Sequence, residues 1–186
     1  NRYCRRHPGE LIHIDIKKLG RFDRPGLPAH RRHGGYRATY RAGWDYVHVA
    51  VDDTSRLAYV EILNDETGAT CVEFLRRAIA WFATHGVTVV RIMTDNGPGY
   101  RSKIHANAVA ELHIKHLRTR PYRPRTNGKA ERFIKTLQAE WAYAASYQNH
   151  HQRAQALAPW LEYYNKRRPH SALGHKPPAS RLTQAD

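Results

Sequence analysis

Asp95 and Glu131 stand with 35 residues between them, each in a distinctive local frame. The first lies in Thr94-Asp95-Asn96-Gly97-Pro98-Gly99-Tyr100, straight after the apolar run Val87 to Met93. The second lies in Asn127-Gly128-Lys129-Ala130-Glu131-Arg132-Phe133-Ile134. Carboxylates that hold hard divalent cations converge from separate parts of a fold, and phosphoryl-transfer enzymes use such sets to bind two metal ions. Asp15 is the candidate third member. It interrupts a stretch of residues that would otherwise be core, where an unpaired charge is costly. Taken singly, each acid has a plainer reading: a wet-face strand residue for Asp15, a turn cap for Asp95, a solvated i,i+4 pair with Lys135 for Glu131. Taken together, they make a set able to gather two Mg²⁺ ions, with Mn²⁺ as a substitute.

The elements that must position these acids follow from periodicity. Glu10 to Lys17 alternates, with Ile12, Ile14 and Ile16 on one face and Leu11, His13, Asp15 and Lys17 on the other, so it reads as a strand. Trp44 to Val51 and Leu57 to Leu63 are β-rich runs joined through Asp52-Asp53-Thr54-Ser55, a hairpin in which turn chemistry accounts for both aspartates. Thr70 to His85 is predicted helical, with Val72, Leu75, Ile79 and Phe82 on one face, a Thr70–Glu73 capping box and Gly86 as its stop. Val87 to Met93 reads as a buried strand, Lys103 to Leu112 as a helix, His113 to Leu117 as a strand, and a helix begins near Asn127. The order is three strands, helix, strand, helix, strand and then helices, which predicts a five-stranded mixed sheet with helices on both faces. From Ser146 the chain is predicted helical to about Asn165, kinked or restarted at Pro159, and Pro-rich after Pro169.

Lysine and arginine total 31 against 16 acids, a net charge of +15 with pI ≈ 10.2. That excess selects a polyanionic partner, because each cation meeting a phosphate releases condensed counterions. No basic amphipathic helix or lipidation signal favours a membrane, and no apolar run approaches the ~18 residues needed to span one. Two cysteines, Cys4 and Cys71, make no disulfide framework, so a reducing, cytoplasmic setting is expected. The basic stretch around the second frame, Arg118, Arg120, Arg123, Arg125, Lys129, Arg132 and Lys135, with Asn127 at the helix start, is the candidate DNA-binding surface. Arg21, Arg24, Arg31, Arg32, Arg37 and Arg41 make the unpatterned segment Gly20 to Gly43 a second candidate. Pairs such as His113-His116, Cys4-His7 and His150-His151 never reach four ligands at structural-zinc spacing. The four tryptophans, Trp44, Trp81, Trp141 and Trp160, are expected in the core.

Four motifs then carry a resemblance: Glu10-Leu-Ile-His-Ile-Asp15, Val49-Ala-Val-Asp-Asp-Thr-Ser-Arg56, Thr94-Asp-Asn-Gly97 and Thr126-Asn-Gly-Lys-Ala-Glu-Arg-Phe-Ile134. They resemble the catalytic core of retroviral integrases and integrase-like insertion-sequence transposases. Tyr164-Asn165 and Arg168-Pro-His-Ser-Ala-Leu-Gly174 look like the C-terminal signature of the bacterial transposases. The likeness runs from about Pro8 to Arg181. It implies a ribonuclease H-like α/β fold over residues 1–145, with a helical C-terminal extension and Pro-rich tail over 146–186 packed on it.

By the same resemblance, Asp15, Asp95 and Glu131 are the catalytic and metal-binding D,D-35-E triad, and Asp52 and Asp53 are not ligands. The implied function is Mg²⁺-dependent hydrolysis at element ends and 3′-OH strand transfer into target DNA, by a homo-oligomer on DNA in the bacterial nucleoid. Two other readings keep the fold: an inactive DNA-binding remnant or regulator, and a ribonuclease H-type nuclease that does not join strands. By the resemblance, an N-terminal helix-turn-helix or zinc-binding region would be usual; none is expected within these residues, so recognition of element ends by them is expected to be incomplete. The Gly20 to Gly43 segment exceeds its counterpart in retroviral integrases, which fits the transposase branch.

Overall fold

The computed structural model describes residues 5–23, 43–119 and 127–182. Five strands, β1 (Ile12–Gly20), β2 (Trp44–Asp52), β3 (Ala58–Leu63), β4 (Arg91–Thr94) and β5 (Lys115–Arg118), form one sheet in the order β3-β2-β1-β4-β5. Strand β2 pairs antiparallel with β1 in the register Asp15↔Val49 and antiparallel with β3 on its other side, while β4 runs parallel to β1 and β5 parallel to β4. Helices α1 (Gly68–Thr84), α2 (Pro98–Arg101) and α3 (Lys103–Glu111) precede β5; α4 (Gly128–Leu137), α5 (His150–Gln155) and α6 (Leu157–Lys166) follow it. The expected five-stranded mixed sheet with flanking helices is therefore what the chain forms.

Alternation along β1 decides which helices cover which face. Ile12 and Ile14 are buried with Phe74, Leu75, Phe82, Ile92 and Val109, so α1 and α3 close the first face. Val47, Val49 and Val51 of β2 are buried with Phe133, Leu137, Trp141, Leu157 and Tyr164, so α4 and α6 close the second. His13 and Asp15 point to that second face, since successive strand side chains alternate. Asp15 and the helix bearing Glu131 thus share one side of the sheet.

Several boundaries move for local reasons. The cap of α1 is Thr67, whose hydroxyl accepts from the Thr70 N–H, so Thr70 is already inside the helix. Val87 to Met93 is not one strand: β4 starts only at Arg91, and the Val90 side chain is 47% exposed. The C-terminal helical run breaks at Ala156. Pro159 falls in the first turn of α6, where its missing N–H removes no helical bond. Trp44, expected in the core, is 52% exposed at the head of β2. No helix among the described residues is long and apolar enough to cross a membrane.

The C-terminal signature residues are structural. The Asn165 side chain accepts from the Ala58 N–H at 2.9 Å and donates to the Ala58 carbonyl at 2.8 Å, so it pairs with the outer strand as a neighbouring strand would. Tyr164 fills the second core, and Arg168 grips Glu140 through two nitrogens. A bridge between His170 and Lys176 folds the following turn back on itself.

Candidate active site

Asp15 lies in the middle of β1 and Asp95 directly after β4, and the parallel ladder between those strands includes Ile12↔Ile92 and His13↔Met93. Continuing that register by two residues brings Asp15 beside Asp95. Asp15 Oδ1 accepts from the Ile16 N–H at 2.8 Å, and Asp95 Oδ1 accepts from the Gly97 N–H at 2.9 Å, which fixes each carboxylate's rotation. Both line a shallow cleft with Glu66, Cys71, Gly97 and Tyr100. Its volume of about 60 Å³ is far below the roughly 300 Å³ at which organic ligands find a pocket, so ions and waters are the species it can hold.

Electrostatics tie the third acid to the pair. Burial pushes the Asp15 carboxyl up to about 6, and the negative charges of Asp95 and Glu131 push it the same way, against the Ile16 hydrogen bond. A carboxylate raised by two like charges is a site that a cation would relieve. In donor chemistry, hard oxygens only, the three acids fit a divalent metal such as Mg²⁺. Among the described residues, however, no three His, Cys, Asp or Glu side chains close on one metal-sized point. Glu131 is exposed in the first turn of α4 and does not line the cleft. Burial pushes the Cys71 thiol up to about 12, and its Sγ–H donates to the Glu66 carbonyl.

The turn after Asp95 is built by close packing. A Cβ on Gly99 would lie 2.5 Å from the Glu66 carbonyl oxygen and 2.8 Å from Cys71 Sγ, so only glycine lets α2 settle against the start of α1. The Thr94 hydroxyl donates to the Asp95 carbonyl and therefore accepts from His116 Nε2 at 2.9 Å. Asn96 donates to the Thr119 carbonyl, tying the turn to the end of β5.

The expected DNA-binding residues divide into three groups. Arg118, Arg132 and Lys135 are exposed, and Arg118 pairs in register with Thr94, one residue from Asp95. Arg120, Arg123 and Arg125 lie outside the described residues, as do Arg24, Arg31, Arg32, Arg37 and Arg41. Asn127 and Lys129 turn inward instead. Asn127 is 3% exposed; its amide donates to the Ile14 carbonyl at 3.1 Å, and its Oδ1 meets His13 Nδ1 at 3.0 Å. Lys129 Nζ reaches Asp53 Oδ1 at 2.5 Å and donates to the Asp53 carbonyl. Arg21 is likewise held, by Asp45 at 2.8 Å.

Asp53 also departs from its expected role. Asp52 does the turn chemistry, accepting from the Thr54 and Ser55 N–H groups and the Ser55 hydroxyl. Asp53 instead accepts from His13 Nε2 at 2.8 Å and from the Arg5 N–H at 2.7 Å. Burial alone would raise its carboxyl, but His13, Lys129 and the Arg5 N–H together hold it well below the usual carboxylate range. The signal in the sequence was His13: a polar side chain on the same β1 face as Asp15, in a central strand, must have a buried partner.

Residues 5–124 and residues 112–178 both match the integrase core domain family. Over 95 residues the chain is 34% identical to the putative transposase InsD for insertion element IS2E of Escherichia coli (strain K12), covering 51% of this chain and 44% of that protein. It is equally similar to the transposase InsD for insertion element IS2H of the same strain, of which the match covers 32%. The matched region thus spans less than half the length of these relatives. Among solved structures, the simian T-cell lymphotropic virus intasome in complex with PP2A regulatory subunit B56 gamma superposes with a TM-score of 0.70 at 23% identity. That likeness covers 98% of this chain and 58% of the other. The HTLV-2 integrase catalytic core domain in complex with magnesium gives 0.66 at 19% identity over 95% of this chain and 97% of that one. The folds therefore agree, ribonuclease H-like in both, and with the two sequence matches the chain belongs to the integrase core domain family.

Proposed function

We propose that this chain is the catalytic core of a DNA transposase that cuts a phosphodiester at an element end and joins the freed 3′-OH to target DNA. The observation that carries the reading is the β1–β4 register, which brings Asp15 beside Asp95 at one cleft with the helix bearing Glu131 over the same face of the sheet. The names of the InsD relatives and the net charge of +15 support DNA as the substrate.

In this reading Asp15, Asp95 and Glu131 would hold one or two divalent ions, Mg²⁺ or Mn²⁺, which would supply the positive charge that phosphoryl transfer requires. The chain's own work is positional. Asp15 and Asp95 present rigid oxygens at the cleft, each fixed by a backbone N–H. Glu131 approaches from α4 over the same face of the sheet and completes the set when DNA is bound. Arg118, Arg132 and Lys135, with Arg120, Arg123 and Arg125 beside them in sequence, hold the DNA phosphates near those oxygens. Lining up the attacking oxygen, the phosphorus and the leaving oxygen supplies much of the acceleration, and no covalent enzyme intermediate is needed. Assembly of several copies on paired ends, in the bacterial nucleoid, completes the proposal.

The test is strand transfer of a pre-cut end of the genetic element that encodes the chain, in Mg²⁺ and in Mn²⁺, by the protein that contains it. Asp95→Asn should abolish joined product while DNA binding persists. Equal activity of variant and wild type would sink the reading. Cleavage of RNA–DNA hybrids without joining would replace it with a nuclease, and DNA binding with no metal response would replace it with a regulator.

A further inference from the structure

The first turn of α4 must be held over β1 if Glu131 is to meet Asp15. A chain of polar contacts through Asn127, His13, Asp53 and Lys129 does so. Asn127 donates to the carbonyl of Ile14, the residue before Asp15. Its Oδ1 meets His13 Nδ1, and the other ring nitrogen of His13 meets Asp53. Lys129 then closes the circuit from α4 back to Asp53, through both the carboxylate and the backbone carbonyl. Asn127 occupies the N-cap position of α4 and Glu131 lies in its first turn, so anchoring Asn127 at Ile14 sets where the helix starts and with it the direction in which Glu131 emerges. The circuit joins β1, the β2–β3 turn and α4, the elements that carry or adjoin Asp15 and Glu131.

We infer that Asp53 is a positioning residue: through His13 and Lys129 it sets α4, and with it Glu131, against Asp15. The inference rests on the transposase reading for its catalytic meaning, but the geometric lock is testable without it. A hydrogen-bonded partner standing behind a ligand-bearing element typically changes metal response or activity by about 10- to 100-fold when removed.

The experiment compares Asp53→Asn with Asp45→Asn. Asp45 is a second buried aspartate, paired with Arg153 at 2.9 Å at the opposite end of β2 from Asp53, and it controls for the loss of any buried ion pair. Both are studied at a temperature where circular dichroism shows them folded. Hydrogen exchange in the metal-free proteins is expected to quicken about tenfold or more at residues 129–133, measured relative to β1, in Asp53→Asn alone. In strand transfer, Asp53→Asn should lower the single-turnover rate about 10- to 100-fold and raise the half-saturating Mn²⁺ concentration, while the Kd for DNA stays within twofold. Asp45→Asn should lower stability without moving the Mn²⁺ midpoint. Unchanged exchange at residues 129–133, or the same change in both variants, overturns the inference. An inactive wild type would overturn the transposase reading instead, and the exchange comparison would still decide the lock.

Discussion

Asp15 lies on β1 and Asp95 directly follows its parallel neighbour β4, and the ladder that pairs His13 with Met93 brings the two carboxylates to the same level of the sheet. Residues 80 apart in sequence become neighbours through one strand pairing. Asp15 is destabilised as an anion by burial and then by Asp95 and Glu131, so the fold stores electrostatic repulsion where it would bind a cation.

Asp15→Asn should therefore stabilise the metal-free protein at neutral pH. The folded carboxyl holds its proton up to about 6 whereas the unfolded one releases it near 3.8. Its contribution is intact below pH 3.8, declines as pH rises to about 6, and stays unfavourable above. Removing the charge should add about 1–3 kcal/mol at pH 7, raising Tm by roughly 2–8 °C, and should change little at pH 3.5. Thermal unfolding at the two pH values checks this. Millimolar Mn²⁺ should raise the Tm of the wild type and have much less effect on the variant.

Gly99→Ala tests the turn that presents Asp95. The added methyl meets a backbone oxygen and a buried sulfur, neither of which is the free end of a flexible chain. Overpacking of this kind costs about 1–3 kcal/mol, and relief requires α2 to move away from α1. Urea unfolding should show that loss. Strand transfer should fall further than stability predicts, because Asp95 lies two residues before the start of α2's cap.

The five-stranded mixed sheet, and the placing of Asp15 within one strand and Asp95 at the end of another, were legible because strand alternation and the frame around Asp95 are local patterns. What escaped is long-range. Asp53 looks like its neighbour Asp52 in sequence, yet one serves the turn and the other serves a helix 76 residues away in sequence. Asn127 and Lys129 look like members of a basic, phosphate-holding run, and only the tertiary contacts reveal them as internal anchors. Asn165 is similar: nothing local says that its amide will pair with both backbone groups of Ala58. Side chains that substitute for missing backbone partners are chosen by what the fold brings opposite them.

His116 should make the protein acid-sensitive. Burial, then the neighbouring His105 and Arg118, lower its imidazole from 6.5 to about 4. The unfolded chain takes up this proton first, so the contribution is present above pH 6.5 and lost as pH falls toward 4. This runs opposite to Asp15 over the same window. His116→Gln, which can still donate to the Thr94 hydroxyl, should flatten the loss between pH 6.5 and 4. Denaturation midpoints across that range give the slope, and an unchanged slope would show that His116 does not carry it.

Arg118 and Lys129 make opposite predictions for DNA. Arg118 is exposed beside the Asp95 turn, whereas Lys129 is bound to Asp53. A cation that meets a phosphate contributes about one unit to the dependence of log K on log salt. Arg118→Ala should therefore weaken binding most at low salt and reduce that slope by about 1. Lys129→Gln should leave the slope unchanged and loosen the start of α4 instead. Fluorescence anisotropy over 50–200 mM salt separates them; a reduced slope for Lys129→Gln would mean that its ammonium leaves Asp53 for the DNA, and an unchanged slope for Arg118→Ala would remove it from the interface.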